Sequence, residues 1–279
     1  MGVVWQLLTV VAVWAAGGLT VQAVGGNPWL ALVTGTVTAV LSVVAYRWIV
    51  GRTERRPVTE LSGDGAARTT ALGTLLGAGL FAAVVVNLAF LGDYRVDGIG
   101  SVSGAVGLVG FMAAAAVTEE VVFRGVLFRV VEERLGTWAA LALTGAVFGL
   151  MHLSNPHADL WGAFTVAVEG GGMLAAAYAA TGRLWLPIGL HFGWNFAGAG
   201  IFGAEVSGNG SSDGLLDAST SGPDLLTGGS FGPEGSVYAL LFTVLVTLVL
   251  LRIAHRRGRI VPRRGRRAEA SGARTTVAP

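Results

Sequence analysis

Thr118 to Gly125 reads TEEVVFRG: two adjacent carboxylates and an arginine directly after an apolar run, Gly110 to Val117, that would suit lipid. A charged side chain at bilayer depth costs roughly 2.5–3.5 kcal/mol on insertion scales, so each is a candidate for function. Helical spacing puts Glu120 and Arg124 on one face and turns Glu119 about 100° away from Glu120. Glu120 can then be neutralised by Arg124, which leaves Glu119 free to face a cavity as a base. Two further clusters carry costly polar residues. FGLMH sets Phe148 four residues before His152, and HFGWN sets His191 four before Asn195.

A carboxylate, two imidazoles and an amide are what hydrolysis of a peptide bond needs. Glu119 can take a proton from water, His152 and His191 can stabilise or protonate, and Asn195 can donate to the developing oxyanion. The same Glu119, His152 and His191 could instead hold Zn²⁺ with one position open for water. No HExxH is present, so the familiar zinc helix lends no support and both chemistries stay open.

The elements that must position these groups are membrane spans. The chain is 53% hydrophobic and 13% charged with a mean hydropathy of +0.65, and its apolar residues fall in blocks of about twenty, the length that crosses hydrocarbon. This predicts an all-α, multi-pass bundle of about eight transmembrane helices in the cell membrane, at about 3–24, 29–50, 69–91, 102–131, 137–153, 160–180, 184–203 and 235–254. Met1 to Val24 has no basic start before its apolar run, so it reads as the first span and not as a cleavable leader. The absence of cysteine excludes disulfides, thiolate zinc sites and cysteine nucleophiles.

Orientation follows from the arginines. With both termini cytoplasmic, Arg52, Arg55, Arg56, Arg68, Arg134, Arg183 and the C-terminal cluster lie inside, and Arg95 alone lies outside. The acidic stretch with Glu205, Asp213, Asp217 and Asp224 then faces out and reads as a flexible loop. The basic run His255 to Arg267 reads as an anchor on anionic lipid, since no folded nucleic-acid reader accompanies it. The expected layout is three spans in 1–99, a core in 100–203, a loop in 204–234, a last span in 235–254 and a cytoplasmic tail in 255–279. Counting about 1.5 Å per residue from the inner ends places Glu119, His152 and His191 roughly 20, 22 and 12 Å up, compatible with one layer once helices tilt by about 20°.

EEVVFR, FGLMH and HFGWN, in that order on three spans, resemble the EExxxR, FxxxH and HxxxN motifs of the CAAX protease and bacteriocin-processing (CPBP, or Abi) family of intramembrane endopeptidases. The likeness runs from about Gly100 to Ala199. It implies Glu119 as catalytic base, Glu120 paired with Arg124, and His152, His191 and Asn195 completing the site, acting on a membrane-associated peptide or protein. The arginine-only, Ala/Gly/Val-rich composition suggests a GC-rich prokaryote, in which substrates with a prenylated cysteine are not expected. A proton-coupled transporter, or an inactive scaffold or immunity protein, is the alternative use of such a groove.

Outside these motifs, Glu169 in VEGGGM is a further intramembrane carboxylate that can line the cavity, pair or sit protonated. Gly170 to Gly172 permit close packing or a local break of the helix. His157 and Asp159 read as solvated loop residues, and Trp138, Trp161 and Trp185 as an interfacial belt.

Overall fold

The structure is a computed structural model that describes residues 2–210 and 213–263, so 264–279 of the expected tail lie outside the described residues. Helix α1 (Gly2–Ala23) leads through a short turn to α2 (Pro28–Glu54), whose start is fixed by Asn27 accepting from Trp29 N–H at 3.1 Å and by a proline at its first position. Helix α3 (Ala66–Leu91) stops at Gly92 (φ 85°) and gives way to a strand, β1 (Tyr94–Ile99). Helix α4 (Val102–Glu120) begins where Ser101 accepts from Gly104 N–H. It runs without a break through a π-helical stretch, Val121–Phe128, into α5 (Arg129–Leu135). Helices α6 (Thr137–Met151), α7 (Leu160–Val166), a second π-helical stretch (Ala167–Met173) and α8 (Leu174–Thr181) follow. After them come α9 (Trp185–Asn195), a third π-helical stretch (Phe196–Ile201), strand β2 (Leu216–Thr220), the single turn α10 (Asp224–Thr227) and α11 (Val237–Arg256).

The protein is a polytopic helical bundle. Seven helical runs among the described residues are long and apolar enough to cross a membrane. The run expected over 184–203 is not one of them, because it is helical only from Trp185 to Ile201. The connection between the expected spans 69–91 and 102–131, and the loop expected over 204–234, also differ from that reading. Strands β1 and β2 pair antiparallel, Tyr94 opposite Thr220 and Ile99 opposite Leu216, and together they cover one end of the bundle. The strands are only six and five residues long, and their Gly/Ser/Asp-rich flanks hide any alternation.

The arginines gather at the other end. Arg183 donates to the Asp64 carbonyl, Arg257 to the Ala180 carbonyl, and the Thr137 N–H to the Val261 carbonyl, so the loops after α2, α5 and α8 meet the start of the tail. Arg129 joins α1 and α2 to the base of α5 by donating to Glu54 at 2.5 Å and to Gln6 at 3.3 Å. Glu60, buried in the loop after α2, receives Arg56 at 2.8 Å and the Tyr46 hydroxyl at 2.5 Å.

Burial pushes the Glu60 carboxyl up, but the hydrogen bonds from Arg56 and Tyr46 outweigh it and hold the group below its ordinary value of 4.5. A depressed carboxylate stabilises the fold above its unfolded value, and that stability is lost as pH falls through the folded one. The melting temperature of the purified protein should therefore drop as pH goes below 4.5, with a shallower drop in Glu60→Gln. Identical pH profiles for the two proteins would contradict this role.

Glycines bring α3 and α9 into backbone contact. A Cβ on Gly77 would lie 2.8 Å from Trp194 N, and one on Gly193 would lie 2.8 Å from Thr74 Cα. Gly73 and Gly189 extend the same seam, so each helix presents a small-xxx-small pair to the other. His191 and Asn195 lie about 200° around α9 from Gly189 and Gly193, so clamping the glycine face to α3 turns the two polar residues toward the middle of the bundle. Gly193→Ala should cost about 1–3 kcal/mol by overpacking, because the obstructing atoms are backbone. A thermal melt unchanged by that substitution would show that the seam yields.

Candidate active site

Glu120 is wholly buried, and one of its oxygens, Oε1, receives both Arg124 Nη1 at 2.8 Å and His191 Nδ1 at 3.0 Å. Arg124 also donates to the carbonyls of Gly170 and Gly171 in the second π-helical stretch. These contacts tie α4, the α7–α8 run and α9 at a single point. A charge pair this deep is retained only when the remaining donors find acceptors, and here two backbone carbonyls supply them. Arg129 does not share in this balance, since it is committed to Glu54.

Phe148, first residue of the FGLMH cluster, packs under the pair. The Arg124 guanidinium stands 4.9 Å over its ring, Phe123 meets it edge-on at 4.8 Å, and the His152 ring lies 4.8 Å away. A Cβ on Gly170 would run into the Phe148 ring, and one on Gly171 would run into Gly145. The glycine run thus lets α6 and the second π-helical stretch close on Arg124. π-helical turns frequently mark functional sites, and each of the three here adjoins a polar cluster: Val121–Phe128 after Glu119 and Glu120, Ala167–Met173 around Glu169, and Phe196–Ile201 after Asn195.

Glu119 takes a different course from Glu120. It faces a cavity of about 270 Å³ lined also by Thr118, His152, His191 and Asn195. Glu119 Oε2 is buried and has no hydrogen-bond partner among the described residues. His191 Nε2 lies 3.9 Å from it. His152 Nδ1 is 2.8 Å from the Phe148 carbonyl, which can only accept, so that nitrogen carries a hydrogen. All six residues expected at the site are therefore close together: Glu119, His152, His191 and Asn195 around the cavity, Glu120 and Arg124 behind it.

Glu119, His152 and His191, the expected zinc ligands, line one cavity. Both histidines have Nδ1 tied to an oxygen, which is the usual support for a ligating Nε2. Among the described residues no three His, Asp or Glu side chains are grouped to hold an ion, and Glu119 Oε2 stands 3.9 Å from His191 Nε2.

A second, smaller cavity of about 30 Å³, the room of a single water, lies beside the first and shares His152, His191 and Asn195 with it. Glu169 lines it, with Oε1 buried and unpartnered among the described residues. Glu234 lines it too, a residue that sequence reasoning assigned to the outer loop. Its Oε2 receives Trp194 Nε1 at 3.1 Å, and burial pushes its carboxyl above the ordinary value of 4.5 against hydrogen bonds from Ser207 and Trp194. Its one sequence signal is its place three residues before an apolar span with no basic neighbour. His157 pairs with Glu205 at 2.6 Å and Asp159 caps α7, so both have local structural duties outside the site.

Residues 101–197 match the family model described as type II CAAX prenyl endopeptidase Rce1-like, and they contain every one of the six site residues. This stretch is Rce1-like. The match covers about a third of the chain and begins with the cap of α4; it holds the polar wall of the cavity, while Trp14, Gly18 and Val21 of α1 and Thr38 of α2 line the cavity from outside the matched stretch. No curated protein and no solved structure matches the chain.

Proposed function

We propose that this protein is an intramembrane endopeptidase that hydrolyses a peptide bond of a membrane-associated peptide or protein. The observation that carries the reading is Glu119: a carboxylate with a buried, unpartnered oxygen, facing a cavity that His152, His191 and Asn195 also line. The Rce1-like stretch supports it, since the family it matches is named for endopeptidase activity.

Glu119 takes a proton from a water in the cavity as the water oxygen attacks the scissile carbonyl carbon. The Asn195 side-chain amide donates to the carbonyl oxygen as it gains negative charge. The C–N bond then breaks, the leaving nitrogen takes the proton held on Glu119, and the products are an amine and a carboxylic acid that ionises to water. His191 is held for this by its Nδ1 contact with Glu120, and Glu120 by Arg124, so the buried pair acts as positioning machinery for the wall of the cavity. Cleavage of a peptide library by the purified protein in lipid nanodiscs tests the reading. Wild-type protein should yield new peptide ends and His191→Ala should not, and full activity in His191→Ala would sink the assignment.

A further inference from the structure

We propose that the substrate peptide enters from the arginine-poor end of the bundle, along a groove between α1 and the start of α4, with Asp213 at its mouth receiving a cationic side chain. This takes the endopeptidase reading as given and adds the side and the chemistry of the substrate.

The groove has a volume of about 780 Å³, within the range of ligand sites and far beyond a solvent crevice. It is continuous with the catalytic cavity: Gly18, Phe111, Met112 and Asn209 line both. Its outer part is walled by Gly26, Ser101, Gly104 and Asp213, all at the end covered by β1 and β2. Small residues on both walls keep it open. The arginine-bearing loops lie at the opposite end, which by the charge rule is the cytoplasmic one. The groove therefore opens on the outer face, and a cytoplasmic protein tail would arrive at the wrong end.

Charge decides the occupant. Asp213 is the one charged side chain among the residues that line the groove. The cations of that end are already engaged, Arg95 with Asp97 at 2.7 Å and His157 with Glu205 at 2.6 Å, while Asp217 and Asp224 add negative charge nearby. A basic peptide is attracted to this mouth and an acidic one repelled. The distance sets the register. Gly104 packs against Asp213, and the fifteen residues of α4 from there to Glu119 rise about 22 Å at ~1.5 Å each. An extended chain at ~3.3 Å per residue covers that with about seven residues. The substrate is thus an extended segment on the outer face with a lysine or arginine about seven residues from the cleaved bond.

The chain has no cysteine, so one introduced thiol reports on the groove alone. In spheroplasts expressing Ser103→Cys in the Glu119→Gln background, a membrane-impermeant maleimide should label the protein from outside. A decapeptide with an arginine at its second position, at ten times its Kd, should slow that labelling about ten-fold by mass action, and the same peptide with glutamate there should not. Adding Asp213→Asn should weaken the arginine peptide roughly two- to five-fold, the range of a single exposed charge pair. Labelling only in inverted vesicles, or equal protection by both peptides, overturns the proposal. None of these readouts uses cleavage, so a wild-type protein that cuts nothing in detergent would overturn the endopeptidase reading separately.

Discussion

Glu119→Gln should remove cleavage while leaving the fold in place. Glutamine keeps the shape and length of the side chain but has no basic oxygen, and a positioned general base contributes about 10²–10⁴ to rate. Stability should change little. Glu119 Oε2 makes no hydrogen bond among the described residues, and the ion pair that joins the helices belongs to Glu120. The comparison is therefore a wild-type and a Glu119→Gln protein with matching melts and a rate ratio of about a hundred or more. Comparable rates would mean that water is activated elsewhere, and Glu169 and Glu234, on the adjoining small cavity, would be the next carboxylates to change.

Arg124→Met should have the largest effect on stability. It leaves the wholly buried Glu120 without its arginine, and breaking a buried pair from one side costs about 3–5 kcal/mol. The carbonyls of Gly170 and Gly171 lose a donor at the same time. Combining it with Glu120→Gln should recover a substantial part of the loss, because the uncompensated charge is then gone. Arg124→Lys should not rescue fully, since one ammonium cannot reproduce the planar fork that reaches a carboxylate and two carbonyls together. Thermal melts of the three variants in detergent measure this. An Arg124→Met protein as stable as wild type would show that Glu120 is neutral in the fold, and the positioning role of the pair would fail with it.

The residues legible in the sequence were those whose presence in a span is costly. Glu119, Glu120, Arg124, His152, His191 and Asn195 stand out against apolar neighbours, and their four-residue spacings survive in the structure as the Glu120–Arg124 bond and the Phe148–His152 contact. The spans were legible from apolar length. What was hidden depends on tertiary partners. Glu234 sits in an acidic, glycine-rich segment where one more carboxylate carries no signal, and only the fold buries it against Trp194. Of the π-helical stretches among the described residues, Ala167–Met173 was marked by its glycine run, and Val121–Phe128 and Phe196–Ile201 carried no such mark. Strands β1 and β2 are too short for an alternation to show. Gly73 with Gly77, and Gly189 with Gly193, were readable as small-xxx-small pairs, but which helix each pair would meet was not. Whether that set holds an ion was not legible either, because Glu119, His152 and His191 are as suitable for a ligand set as for a base with two supporting imidazoles.

The most direct test of Glu119 as the base is cleavage of a peptide library by the wild-type protein in lipid nanodiscs, before and after treatment with a strong chelator, with elemental analysis of the same sample. New peptide ends at a rate the chelator leaves unchanged are the predicted result. No new ends, or cleavage lost on chelation and restored by zinc at about one ion per chain as a catalytic site holds it, would contradict it.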